Sequence, residues 1–361
     1  MRRREYNLFV PAHTIWLLSD SDVKARLAVS RTYLRRMHES TIGLEAVQRE
    51  QSLTKSRLRA QASKIAEVKR EVASMGASAV LSVHAPYTPI GKFDLASDSN
   101  ETRRRTIEAV TRCIELAEDI EASVVNAHLG GIIRIGRNRS FQDPAAKSAL
   151  LGRVKDALIE ITDRIEGRNV RLAIENIPYP LEEINRGYSP LIGVFPSDFS
   201  MILSDVDSKC LGMTIDFCHL WITHKTLKGF LMGSKRNHGS GAAHVSKYRG
   251  LTSYEADEIE FLSENPFAAF IQRLSEKIVH VHVADTDGIY VPGKSNVTEG
   301  NSLGHGDLDL GGFANALWEI EEHSTKTGLI MIVLEPKEKD FDRPLNALAS
   351  LMELGGLIRR K

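Results

Sequence analysis

Short apolar runs alternate with longer stretches of helical periodicity from one end of the chain to the other. AVLSVHA, SVVNAH, VRLAIEN, LGMTIDFCH, IVHVHVAD and LIMIVLEP are rich in β-branched residues and apolar at most consecutive positions, as strands are when a parallel sheet is covered on both faces. NLFVPAH and TIGLEAVQ read as two earlier strands of the same kind. Helical patterns fill the intervals at 21–37, 52–75, 101–120 and 144–165, begin again near Pro196 and Ser197, and close the chain at 311–323 and 342–358. Eight βα alternations predict an α/β protein, a single (β/α)8 TIM barrel spanning residues 1–361 as one domain. The competing architecture, an open doubly wound sheet, gathers its chemistry at one switch point. It leaves unexplained why so many different strands end in residues of one chemical kind.

Those strand ends are His84, His128, Glu175, Asp216 followed by His219, His282 and Glu335. The C-terminal ends of barrel strands share one mouth, so these side chains converge. A divalent cation such as Zn²⁺, Mn²⁺ or Mg²⁺ takes carboxylate and imidazole donors from separate segments, and Glu175, Asp216, His282 and Glu335 supply such a set. His84 and His128, with Glu175 shared, could hold a second ion, for one or two ions in all. A lone histidine at a strand end is usually a hydrogen-bonded structural group. Three apolar strands each ending in an ionised carboxylate are costly unless the carboxylates are paired or metal-bound, which tips the reading toward metal. His280 shares the face of His282 one layer deeper and reads as a core histidine. His13 and Glu45 read as core or rim residues rather than pocket lining, and His224, His238 and His244 take no role.

One interval breaks the rhythm. Between Asp216 and the seventh strand lie roughly 60 residues, far beyond an ordinary βα loop, which predicts an insertion on the mouth face at about 225–265. Its Lys225, Lys228, Lys235, Arg236, Lys247 and Arg249 have only late acidic compensation, so it reads either as a solvated loop or as a lid or anion-binding arm. Arg134, Arg137 and Arg139, just after HLGG, could grip a phosphate, since guanidinium matches phosphate in a bidentate way.

The remaining bounds act by exclusion. Forty-seven basic residues balance forty-seven acidic ones, so no global field draws the protein to nucleic acid or to an anionic membrane. Cys113, Cys210 and Cys218 form neither a disulfide framework nor a CxxC pair, which predicts a reducing, cytoplasmic setting. The start MRRREYNLFVPAH has the basic residues of a signal peptide, but Pro11 and His13 interrupt its apolar part, and no run reaches the length of a membrane span.

The strings HAPY (84–87), HLGG (128–131), IEN (174–176), DFCH (216–219), HVAD (282–285), LGHGDLD (303–309) and LEP (334–336) resemble the endonuclease IV and xylose isomerase-like superfamily of barrel metalloenzymes, over nearly the whole chain. Two branches compete. The endonuclease IV branch cleaves DNA at abasic sites with three zinc ions, and the resemblance implies His84, His128 and Glu175 on one, Glu175, Asp216, His282 and Glu335 on another, and His219 on a third. The third also needs an Asp and a His, where this chain has Thr298 and Gly300, unless Glu299, His305 or Asp307 stands in. HLGG, ENIPYP and HVAD depart from that branch as well.

The isomerase and epimerase branch implies one ion on Glu175, Asp216, His282 and Glu335. Glu175 and Glu335 then move a proton beside a sugar carbonyl, and His219 holds a hydroxyl. His84, His128, Arg134, Arg137, Arg139 and His305 would complete substrate binding. The favoured expectation is a metal-dependent isomerase or epimerase of a sugar or sugar phosphate, with a phosphodiesterase acting on abasic-site DNA as the alternative. A decayed, non-catalytic barrel is disfavoured by the intact carboxylate set.

Overall fold

The computed structural model describes residues 9–15, 20–89, 91–134, 144–179, 188–236, 265–287, 299–323, 329–337 and 344–359. Eight parallel strands close into a barrel: β1 (Phe9–Ile15), β2 (Thr41–Val47), β3 (Ser78–His84), β4 (Val124–His128), β5 (Arg171–Glu175), β6 (Leu211–Asp216), β7 (Ile278–Val283) and β8 (Ile330–Leu334), with β8 paired back onto β1. Around them lie α1 (Asp20–Met37), α2 (Lys55–Ser74), α3 (Asn100–Ile120), α4 (Pro144–Ile165), α5 (Pro196–Val206), α6 (Phe217–Arg236), α7 (Pro266–Leu274), α8 (Leu310–His323) and α9 (Leu345–Arg359).

The helices start where local chemistry lets them. Ser99 Oγ accepts the Thr102 N–H ahead of α3, and Asn265 accepts the N–H groups of Phe267 and Ala268 ahead of α7, where Pro266 occupies the first turn. In α3, Ile107, Val110, Ile114 and Ala117 recur at helical spacing and are buried as a stripe. The main core lies between this helical layer and the outer faces of the strands.

The barrel interior is graded along its axis. Its lower part is apolar, with Ala12, Met331 and Val333 packed together near Val80 and a second cluster of Val124, Ala173 and Val279. Above it Glu45, Ser82, Thr214 and His280 form a buried polar layer. The strand ends come next. Two short antiparallel pairs lie beyond them, Ile132–Arg134 with Tyr188–Pro190 and Asp285–Thr286 with Glu299–Asn301.

The expected insertion begins as helix. α6 runs unbroken from Phe217 to Arg236, because KTLKGFLMGSKR holds mostly helix formers and the glycine-rich GSGAA begins only at residue 239. Lys247 and Arg249 lie outside the described residues, as does all of 237–264. No helix among the described residues is long and apolar enough to cross a membrane.

Candidate metal centre at the barrel mouth

Asp216 ends β6 and starts α6 at once. Its Oδ1 accepts the His219 N–H (2.9 Å), as a helix cap does, and its Oδ2 lies 3.3 Å from His219 Nδ1. Asn176 fixes this corner: its Oδ1 accepts the Asp216 N–H (2.8 Å), its Nδ2 donates to the Asp216 carbonyl (3.0 Å), and its own carbonyl accepts from His219 Nδ1 (2.7 Å). On β7, His282 turns Nδ1 toward Glu175 Oε1 (3.2 Å) and Glu335 Oε2 (3.4 Å). Glu175, Asp216, His282 and Glu335 each offer one donor atom, and the four atoms lie within 4.8 Å of one another. The tetrad expected from the strand ends is thus brought together.

Glu175 also serves the other side of the mouth. Its Oε2 lies 3.1 Å from His128 Nε2 and 3.4 Å from His84 Nε2, and it accepts from the Asn126 side-chain amide. His84, His128 and Glu175 make a second converging set. The ring of Tyr87 stacks on His128, with centroids 4.7 Å apart and planes 19° from parallel, and stands 5.1 Å from His84. Tyr87 is 37% exposed, so it walls this half of the mouth from above.

The site holds strongly opposed charges. Burial penalises ionised Glu175, yet His282 and His128 hold its carboxyl well below the usual range. Burial, opposed by the His219 charge and reinforced by Glu175 and Glu335, pushes Asp216 up to about 7. Burial works against a charged His84 as well, but the bond to Glu175 and the charges of Glu45 and Glu175 lift it to about 9. His128 is held below its ordinary value by burial, against the pull of Glu175.

Beneath the mouth, Glu45 is fully buried and faces the second nitrogen of His282, with Nε2 to Oε2 at 3.2 Å. Burial opposes its charge, but His282, His280 and His84 hold it at about 2. His280 is the expected core histidine: Nδ1 meets Thr214 Oγ1 (3.4 Å), Nε2 meets Ser82 Oγ (3.3 Å), and burial drives it down to about 3. His13 turns away from the mouth to Ser30 Oγ (3.0 Å).

At the rim, His219 Nε2 meets Glu299 Oε1 (3.1 Å). Since Nδ1 already faces a carbonyl, both ring nitrogens face acceptors. Burial opposes a charged ring, yet Asp216, Glu299 and Glu175 raise His219 to about 10. Asp285 organises the following turn by accepting the N–H groups of Gly304 (2.8 Å) and Leu308 (3.0 Å). Asp307 ties that turn to α6, taking Trp221 Nε1 (2.9 Å) and Lys225 Nζ (2.7 Å). Lys225 is therefore engaged within the fold.

His305 is exposed, and its backbone N–H bonds the Ser302 carbonyl (2.9 Å). Arg134 lies on the short strand after β4 with its side chain undescribed, and Arg137, Arg139 and Thr298 lie outside the described residues. Tyr87, Asn126 and Asn176 join the site without having been expected there, although Tyr87 closes the HAPY string and Asn176 the IEN string.

A family profile described as a xylose isomerase-like TIM barrel matches residues 39–349. The chain belongs to that family. Among curated relatives, an uncharacterized protein of Methanocaldococcus jannaschii is 25% identical over 195 residues, a match that covers 54% of this chain and 59% of that protein. A probable endonuclease 4 of a Sulfurihydrogenibium species is 23% identical over 274 residues, 76% of this chain and 77% of the relative. Among solved structures, a D-tagatose 3-epimerase-like protein superposes with a TM-score of 0.58 at 20% identity, covering 97% and 96% of the two chains. The 3-keto-D-glucoside 4-epimerase of E. coli gives 0.56 at 14%, covering 96% and 99%. At such identities the structural likeness shows the shared fold.

Within this xylose isomerase-like barrel, the donors suit a divalent cation. Three carboxylates and one imidazole are a hard, oxygen-rich set, and the upward push that Asp216 receives from burial, Glu175 and Glu335 is what a cation among them relieves. The third-ion position implied by the endonuclease IV likeness fits poorly. Gly300 has φ +90°, and a Cβ there would lie 2.8 Å from Lys337 Cγ and 3.1 Å from its backbone N. The Lys337 N–H also donates to the Gly300 carbonyl (2.7 Å), so that neighbour cannot withdraw. Among the described residues neither His219 nor Glu299 joins a group of three or more convergent ligands.

Proposed function

We propose that this protein is a divalent-metal-dependent isomerase or epimerase of a sugar or sugar phosphate. The observation that carries the reading is that Glu175 and Glu335 both reach His282 Nδ1, at 3.2 and 3.4 Å, two carboxylates converging at the mouth. Two such groups can remove a proton from one face of a substrate carbon and return it from the other. Zn²⁺, Mn²⁺ or Mg²⁺ on Glu175, Asp216, His282 and Glu335 would supply Lewis acidity toward a carbonyl and its neighbouring hydroxyl. Glu299, held by His219 and partly exposed, offers an acceptor to further hydroxyls, and Tyr87 offers an apolar ring face to the carbon skeleton. The names of the epimerases that share the fold support the same reading.

A second reading, an endonuclease IV-like phosphodiesterase, is favoured by the complete His84, His128 and Glu175 set and by the relative named as a probable endonuclease 4. The crowding at Gly300 weighs against it.

The deciding experiment incubates metal-loaded enzyme in D₂O with keto- and aldo-sugars and their phosphates, beside abasic-site duplex DNA. Incorporation of deuterium at a sugar C–H position is the expected result, because the proposed chemistry passes a proton to solvent-exchangeable carboxylates. Catalytic nicking of the duplex with no exchange on any sugar would overturn the proposal in favour of the second reading.

A further inference from the structure

Glu45 is a carboxylate in the middle of the apolar strand TIGLEAV, fully buried, with no part in the tetrad. An ionised carboxylate in that setting costs several kcal/mol unless its partners compensate. Three side chains surround it. Ser82 Oγ donates to Oε1 (3.2 Å), His280 Nε2 stands 3.6 Å from Oε1, and His282 Nε2 approaches both oxygens, at 3.2 and 3.3 Å.

His280 does not need it. Both of its ring nitrogens lie within reach of hydroxyls, Ser82 and Thr214, as a neutral core imidazole requires. His282 is different, because both of its ring nitrogens face carboxylates. One faces the tetrad and the other faces Glu45. A ring that gives an ion its Nδ1 lone pair must carry its proton on Nε2, and in the fully buried setting of His282 that proton needs a protein acceptor.

We propose that Glu45 is a positioning residue for His282: it accepts the Nε2–H, fixes the tautomer that presents the Nδ1 lone pair to the tetrad, holds the ring plane, and so sets the affinity of the site for a divalent cation. The proposal rests on the metal reading of the tetrad. Of the tetrad, Glu45 contacts His282, so its effect passes to the ion rather than to a substrate. A purely structural carboxylate, balancing charge in the barrel, would change stability and leave the tetrad's affinity and the tautomer alone.

The test measures Zn²⁺ and Mn²⁺ affinity of the full-length protein by chelator competition, for the wild type, Glu45→Gln, Glu45→Asp and Glu45→Leu, with folding followed by circular dichroism. Long-range ¹⁵N–¹H NMR reads the His282 tautomer, assigned by comparison with His282→Asn. Losing such an outer partner typically weakens metal binding by about 10–100-fold, and Glu45→Gln is expected in that range with the chain still folded. Glu45→Leu should fall at least as far, and its His282 should lose the single Nε2–H form.

Glu45→Asp keeps the charge on a shorter arm and is expected between Gln and wild type. If the Gln and Leu variants do not fold, the Asp variant alone decides, by weakened affinity or by its absence. Folded variants that bind both ions within about threefold of wild type, with the tautomer unchanged, would overturn the role of Glu45 and leave the metal reading standing, since a lost outer partner should cost more than that. A wild-type protein that binds neither ion would instead remove the metal reading and this inference with it.

Discussion

On the β3–β4 side of the mouth two histidines, His84 and His128, share one carboxylate, whereas on the β5–β8 side three carboxylates surround one histidine. The same strand-end geometry therefore produces two electrostatic environments. The first is close to balanced without any ion, because protonation of one imidazole neutralises Glu175, and His84 is indeed lifted to about 9. The second sets three carboxylates against His282 and the rim His219, and burial with the charges of Glu175 and Glu335 still pushes Asp216 up to about 7. Convergence of ligand-type residues alone does not say where a cation is needed. The surplus of carboxylates over imidazoles does, and it makes the β5–β8 side the better candidate for one.

Glu175 belongs to both halves, so the largest effect is expected from it. Glu175→Gln keeps the shape and removes the charge, and it should strip bound metal and reduce kcat by about 10²–10⁴-fold, the usual worth of a positioned acid or base. Elemental analysis beside turnover checks both. Full metal content in that variant would break the comparison at its centre, leaving Glu175 as at most a proton carrier.

The next test separates the halves. The double variant His84→Asn, His128→Asn should lose any second ion, keep the ion of the tetrad, and weaken kcat/KM by about 10–100-fold, the range expected when groups around a metal site are lost. Metal counting on the same sample is the check. Loss of all metal would show that the two sides act as one unit, and the electrostatic distinction between them would fail.

Much of this is legible in the sequence because barrel geometry converts strand ends into neighbours. His84, His128, Glu175, Asp216, His282 and Glu335 are readable once their strands are, since a charged residue that finishes an apolar run is costly unless a partner or an ion compensates it. What stays hidden depends on distances across the barrel. Glu45 sits two residues before the end of β2, and only closure of the sheet brings it under His282. The signal is present as an acidic residue inside TIGLEAV, where a buried strand tolerates none without a partner. Asn126 and Asn176 are hidden for a different reason: polar amides near strand ends are common, and only the hydrogen bonds show that they hold Glu175 and Asp216. The helical run to Arg236 escapes a reading that weighs length and basic charge above helix propensity.

The smallest effects are expected at the rim, where the likeness to an endonuclease ends. Glu299→Gln keeps an acceptor for His219 Nε2 but turns a charge-assisted bond into a neutral one, a difference of about 1 kcal/mol, or roughly fivefold. It should fall on KM for a hydroxyl-bearing substrate, with kcat and metal content little changed. The complementary variant rebuilds the missing ligands as Thr298→Asp with Gly300→His. A non-glycine residue at φ +90° is strained, and its Cβ would press on Lys337 Cγ and on a backbone nitrogen bonded to the Gly300 carbonyl. That variant should therefore melt at lower temperature, gain no further equivalent of zinc, and leave abasic-site DNA intact. A stable variant that takes up an additional zinc ion and nicks the duplex would show that the rim can accept the third ion, and that the closed turn at Gly300 does not separate this chain from the phosphodiesterases.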